Sequence, residues 1–214
     1  MKRFWLIIPL ALCMFAGCTG TVSEQPQTNS FFAMDTVMDL TIYGNKSLLA
    51  DVETLISDLE EKVSVTDETS ELYTINQTGT GTLTGSAAEL MQSALAMCQR
   101  TGGALDISIY PVVRAWGFTT ESYQVPEAET LEGLLAHVDY TQIRYDAETG
   151  AVSVPDGMEI DLGSVAKGFV GSRAAQYLRE NGVDSALLNL GGNVQPVGCR
   201  PDGDPWKIAV KAPR

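Results

Sequence analysis

The sequence predicts an α+β fold, with a mixed, largely antiparallel sheet and flanking helices. Three observations lead there. Period-two and period-3.6 hydrophobic patterns alternate along the chain, a short hairpin is written between Gln142 and Pro155, and tight glycine turns argue against a purely parallel sheet. At 214 residues, with 44% apolar and 19% charged residues, the chain has the composition of a globular protein rather than a disordered one.

The first residues read as an export signal. Lys2 and Arg3 precede an apolar run from Phe4 to Phe15, broken only by Pro9, which is short for a bilayer span and ends in small residues. Phe15-Ala16-Gly17-Cys18 has the form of a lipobox. Residues 1–17 are therefore assigned to a lipoprotein signal peptide and Cys18 to lipid attachment; a plain signal peptide with an incidental cysteine is the alternative. The polar stretch Thr19 to Ser30 makes residues 18–30 a lipidated tether, and residues 31–214 the folded domain. The expected location is the outer face of a bacterial cytoplasmic membrane, held by the lipid.

Within the domain, Val37, Asp39 and Thr41 alternate with Met38, Leu40 and Ile42, a strand pattern. Leu48, Val52, Leu55, Ile56, Leu59 and Val63 form one stripe of a helix over Ser47 to Val63. Ser86-Ala87-Ala88-Glu89 predicts a capping box opening a helix that Gly102-Gly103 stops. Pro126 to Val138 predicts a shorter acidic helix, and Met158 to Leu162 a strand that enters a helix from Ser164 to Asn181, capped by Gly182. Ser185 to Leu190 predicts a buried strand ending at Gly191-Gly192.

The formal charge is −13; Lys2 and Arg3 are the only charges in residues 1–17, so the remainder carries −13 − 2 = −15. Such a surface repels phosphate backbones, which excludes nucleic acid as a partner. A phosphate-bearing ligand must then be held by a local device. Cys98 and Cys199 are the thiols left in the domain; they can pair in an oxidising compartment or stay free. His137 is the single histidine, so no zinc site can be argued.

The richest segment is Ile160-Asp161-Leu162-Gly163-Ser164-Val165-Ala166-Lys167-Gly168. An acid, a glycine turn and a helix start with free N–H groups make an anion site, and a lysine in the first turn suits a negative ligand. The same residues also suit an ordinary strand-to-helix turn. Walker and Rossmann glycine spacings are both absent. Thr101 to Ser108 likewise joins glycines to a predicted strand bearing Asp106. Pro111 to Phe118 is apolar enough to cover a flat ring, or to pack as a core strand around Trp116.

Five segments in order resemble the FAD:protein FMN transferase (ApbE) family: Ala33-Met34-Asp35-Thr36; Ser64-Val65-Thr66 through Ser70-Glu71-Leu72 to Asn76; Gly103-Ala104-Leu105-Asp106 with Pro111 and Trp116-Gly117-Phe118; Asp161-Leu162-Gly163 through Lys167-Gly168; and Asn189-Leu190-Gly191-Gly192-Asn193. The resemblance implies an ApbE-like fold and transfer of FMN from FAD to a threonine of a target flavoprotein, such as a subunit of a membrane redox complex, with release of AMP. It implies FAD as donor substrate and Mg2+ at the pyrophosphate. On matching positions, Met34, Ala104, Leu105, Asp106, Asp161 and Lys167 are the expected FAD contacts and Ser164 the expected metal ligand.

Three departures bear on this. Asp35 stands where the family usually has glycine, which predicts a different backbone there. Thr66 stands where some members have a flavin-stacking tyrosine. The chain ends at Arg214, before the family's segment with further metal ligands, so it reads as a fragment lacking the C-terminal part, with its catalytic residues unassigned and no transfer expected from it alone. Residues 206–210 are expected to form an unpaired edge. The competing expectations are a non-catalytic FAD- or nucleotide-binding lipoprotein and a structural surface lipoprotein.

Overall fold

The computed structural model describes residues 25–120, 122–210 and 212. The predicted signal peptide, lipobox and Cys18 lie outside the described residues. The main sheet contains β1 (Gln27–Ala33), β2 (Thr36–Ile42), β6 (Ser185–Leu190) and β7 (Asn193–Gly198) in the order β1-β2-β6-β7. Every pairing in it is antiparallel. A smaller antiparallel sheet, β3-β5-β4, combines Thr80–Thr82 (β3) with Arg144–Tyr145 (β4) and Ala151–Ser153 (β5), the predicted hairpin. The α+β class with flanking helices is therefore the observed one.

β1 starts inside the stretch read as a tether, so residues 27–30 belong to the sheet. It joins β2 through Met34 and Asp35, whose φ values of 49° and 58° are those of a tight hairpin turn with both central residues left-handed. Asp35 thus adopts the conformation that glycine takes at no steric cost; a short polar side chain tolerates it better than most.

Three helices, α1 (Ser47–Val63), α3 (Ser86–Arg100) and α6 (Gly163–Glu180), surround the core. α1 buries Leu48, Val52, Ile56 and Leu59 of its predicted stripe, and Leu49 beside it, while Leu55 and Val63 are only partly buried against the core. Complete burial of Ile56 and Leu59 contributes about 1.5–3 kcal/mol each. α6 buries a face of small residues, including Ala166, Gly171, Ala174 and Ala175. That face lets the helix lie close to the sheet: a Cβ on Gly171 would stand 3.1 Å from Leu190 Cδ1. The helix ends as predicted, with Gly182 at φ 78°.

Several local expectations are corrected. Ser86 and Glu89 form no capping box, because the helix is capped by Gly85 without a side-chain hydrogen bond. Glu89 instead pairs with Arg173 on α6 at 3.1 Å. Residues 106–109 and 158–162 are not strands; they run extended or turned, and share one isolated parallel bridge, Ile109 with Glu159. Tyr110–Ala115 is a short helix, α4, and Ala128–Leu135 is α5 within the predicted acidic helix. Residues 206–210 form no strand; Trp206 Nε1 donates to the carbonyl of Val197 at 3.3 Å, beside β7. Glu71–Thr78 forms α2, which periodicity did not reveal. Ser70 caps it, accepting from Leu72 N–H and Tyr73 N–H at 3.1 and 3.3 Å while donating to the carbonyl of Lys62.

Candidate functional site

The predicted site residues fall on turns that neighbour one another at one end of the main sheet. The β6–β7 turn, Gly191-Gly192, packs on the β1–β2 hairpin: a Cβ on Gly191 would meet the Thr36 side chain at 2.4 Å. The same turn borders α6, where a Cβ on Gly168 would lie 3.9 Å from Asn193 Nδ2. The segment that opens α6 is joined to the Asp106 turn by a hydrogen bond from Asp161 N–H to the Ile107 carbonyl, 2.8 Å. The end of α1 joins the hairpin, Glu60 accepting from Met34 N–H at 2.7 Å.

The start of α6 has the character of an anion site. Its N-cap residue, Leu162, offers no side-chain cap, and the first turn contains no acid. Asp161 Oδ1 accepts from Gly163 N–H at 2.7 Å, and no hydrogen bond among the described residues reaches its Oδ2. Ser164 is exposed, and Lys167 is half-buried without an ion pair or hydrogen bond among the described residues. A cation there faces the positive end of the helix dipole, an unfavourable arrangement worth some tenths of a kcal/mol unless an anion binds between them. The geometry can therefore hold a phosphate group beside a carboxylate oxygen able to accept a hydroxyl.

Asp106 is tied into its own loop. Its carboxylate organises its own loop: Oδ1 accepts from Ser108 N–H (2.9 Å) and Ser108 O–H (2.6 Å), and Oδ2 from Tyr140 N–H (3.0 Å). The buried Ser108 hydroxyl in turn accepts from Asp139 N–H at 2.9 Å. This is an Asx-type turn, signalled in the sequence by Asp106-Ile107-Ser108 but missed. Ala104 is exposed and Leu105 half-buried against the core on the same loop, and Met34 packs partly against the core.

Trp116 is only half-buried and stacks on exposed Phe118, ring centroids 6.2 Å apart; it is not a core strand residue. Cys98 is buried and Cys199 exposed, and both are free. Two concavities, of about 490 Å³ between α3 and residues 140–145 and about 350 Å³ around Lys62 and Asp67, take in none of Met34, Asp106, Asp161 or Lys167. Among the described residues no three His, Cys, Asp or Glu side chains converge to hold a metal ion.

Beside this cluster, Glu159 is 12% exposed and pairs with Arg114 at 2.7 Å, while its Oε2 is buried without a partner among the described residues. Burial pushes its carboxyl above the usual glutamate value of 4.5, and the Arg114 charge pulls it partly back. Because the raised value belongs to the folded state, stability is fully present below pH 4.5 and declines as pH rises through the folded value. Glu159→Gln should therefore gain in melting temperature relative to the parent as pH goes from 4 to 7. A difference that stays flat over that range would contradict the assignment.

The ApbE family model matches residues 34–214. The chain belongs to the ApbE family. Its sequence is similar to the FAD:protein FMN transferase of Vibrio cholerae, 27% identical over 225 aligned positions that cover 99% of this chain and 66% of the relative. The FAD:protein FMN transferase of Klebsiella pneumoniae is 32% identical over 179 positions, 81% of this chain and 55% of that protein. The chain thus spans between about half and two thirds of the length of these curated relatives. Among solved structures, the ApbE protein of Thermotoga maritima superposes with a TM-score of 0.81 at 29% identity, covering 89% of this chain and 64% of that one. The flavin transferase ApbE of Vibrio cholerae superposes at 0.79 with 25% identity, covering 88% and 64%.

Proposed function

We propose that this ApbE protein is an FAD:protein FMN transferase whose FAD lies across the start of α6. The observation that carries the reading is the unpaired Lys167, just past the acid-free first turn of α6, together with Asp161, whose Oδ1 caps Gly163 N–H and whose Oδ2 is left open. In the reaction, a threonine Oγ of the target protein attacks the phosphorus of the FMN half. The Oγ–P bond forms, the P–O bond to the AMP phosphate breaks, the hydroxyl proton leaves to solvent or a base, and AMP departs. Catalysis of such a transfer is largely positioning and charge neutralisation. Mg2+ belongs to this reading as a neutraliser of pyrophosphate charge, with Ser164 offering it an oxygen. Met34, Ala104 and Leu105 supply backbone and apolar contact, and Asp106 is a further FAD contact that also holds the shape of its loop.

The test is fluorescence titration of the protein with FAD, followed by incubation of its full-length form with FAD, Mg2+ and a flavin-acceptor domain. Saturable FAD binding and a covalent FMN mass increase that disappears when the acceptor threonine is replaced by alanine are expected of a transferase. Binding without any mass increase would favour the second reading, a flavin-binding lipoprotein without chemistry. Absence of binding would overturn both.

Lipidation of Cys18 and an outer-face membrane location complete the proposal, supported by the basic start, the apolar run and Ala16-Gly17-Cys18. No helix of the described residues is long and apolar enough to cross a membrane. Cys18→Ala should move the protein out of the membrane fraction and leave unprocessed precursor; unchanged fractionation and processing would refute it.

A further inference from the structure

Asp161 sits on a segment that no sheet supports. Residues 159–161 run extended, yet they meet other backbone on one side only, where Ile109 bridges Glu159 and Asp161 N–H donates to the Ile107 carbonyl. The other side is closed by a side chain. Asn76 of α2 donates Nδ2–H to the carbonyl of Ile160 at 2.8 Å and accepts the Ile160 N–H on Oδ1 at 2.7 Å. The amide group thus does for Ile160 what a neighbouring strand would do, from 84 residues away in sequence.

The chemistry of that contact is narrow. It needs a donor and an acceptor in one plane at the reach of a single methylene. Aspartate ionised at neutral pH has no donor, glutamine is one methylene longer, and alanine leaves a half-buried N–H and C=O without their partners. Ile160 is fully buried and directly precedes Asp161, whose Oδ1 fixes Gly163 N–H at the opening of α6. A shift of the Ile160 backbone would therefore move Asp161 and the α6 start together, relative to the turns at Met34 and Gly191.

We infer that Asn76 is a positioning residue of the nucleotide site: acting as a one-residue strand, it sets where Asp161 and the first turn of α6 stand. The inference rests on the FAD-binding reading above and adds a residue that touches no ligand.

The experiment measures FAD affinity and ligand-free melting temperature of the full chain for the parent, Asn76→Ala, Asn76→Asp and Tyr145→Phe. Tyr145→Phe is the control, since it removes another side-chain-to-backbone bond, to the Ala88 carbonyl at 2.8 Å, away from the turn cluster. Titrations are run well below every melting temperature, so that the folded fraction does not enter. Asn76→Ala should raise the FAD Kd by about 10-fold or more. Tyr145→Phe should lower the melting temperature and leave the Kd unchanged. A protonated carboxyl can donate and accept as the amide does, so the Kd gap between Asn76→Asp and the parent should narrow as pH falls, while the Asn76→Ala gap does not. That pattern is not expected of a residue serving stability alone.

A Kd for Asn76→Ala within twofold of the parent, with a lowered melting temperature, would overturn the inference. If Asn76→Ala does not fold, the pH series of Asn76→Asp decides: a gap independent of pH overturns it. Failure of the parent to bind FAD is a different result, which removes the functional reading itself and this inference with it.

Discussion

Asp161→Ala should weaken FAD binding about 10- to 150-fold and lower the stability of the ligand-free protein by little. A hydrogen bond from a ligand hydroxyl to a carboxylate contributes about 1.5–3 kcal/mol, and each ~1.4 kcal/mol is tenfold in affinity. The Oδ2 that would accept it has no partner among the described residues, so nothing in the fold competes for it. What the fold loses is one hydrogen bond, Oδ1 to Gly163 N–H, at the opening of α6. Loss of such a helix-end contact costs about 1 kcal/mol. Fluorescence titration and thermal denaturation on the same preparation separate the two effects. A large fall in melting temperature with unchanged affinity would assign Asp161 to structure.

Gly150→Ala should destabilise the protein by about 3 kcal/mol or more, enough to lower its melting temperature by several degrees. Gly150 closes the β4–β5 hairpin with φ 72°, and its N–H donates to the Asp146 carbonyl at 2.8 Å. A side chain in that conformation costs about 1–2 kcal/mol. The larger cost is a collision: the new Cβ would stand 2.1 Å from the Leu83 carbonyl oxygen, a backbone atom that cannot rotate away. That same carbonyl region links the small sheet to the chain entering α3, since Leu83 N–H donates to the Gly150 carbonyl at 2.9 Å. Denaturant unfolding measures the change. A loss below about 1 kcal/mol would show that the turn has room to move.

The elements legible in the sequence were those whose pattern is set by burial. The stripe of α1, the buried strand β6 and the hairpin at 142–155 follow from apolar periodicity and turn residues, which act locally. The Asp161 and Asp106 segments were legible as chemistry but not as structure. Both are extended or turned, and their backbone partners are a side chain, Asn76, and one bridge, neither of which a local pattern can reveal. The capping box failed for a tertiary reason: Glu89 is drawn to Arg173 across α6. α2 was missed because its apolar face is short, with only Leu72 and Ile75 buried. The anchoring of Asp106 was not legible, because the sequence does not show that Tyr140, 34 residues on, supplies an N–H to it.

The register of the main sheet also fixes an order of events during synthesis. β2 pairs with β6 through Met38 opposite Leu190, a separation of 190 − 38 = 152 residues. At ~5–20 residues per second a ribosome needs roughly 8–30 s to make that stretch. Through that interval the β1–β2 hairpin can close, but its inner edge waits for a partner not yet made. Met38, Leu40 and Ile42, all fully or almost fully buried in the finished protein, remain uncovered on it. The nascent chain therefore carries its longest exposure to wrong strand pairing at its oldest strands. A chaperone acting on this protein would do most good at the beginning of the chain, long before the nucleotide site exists.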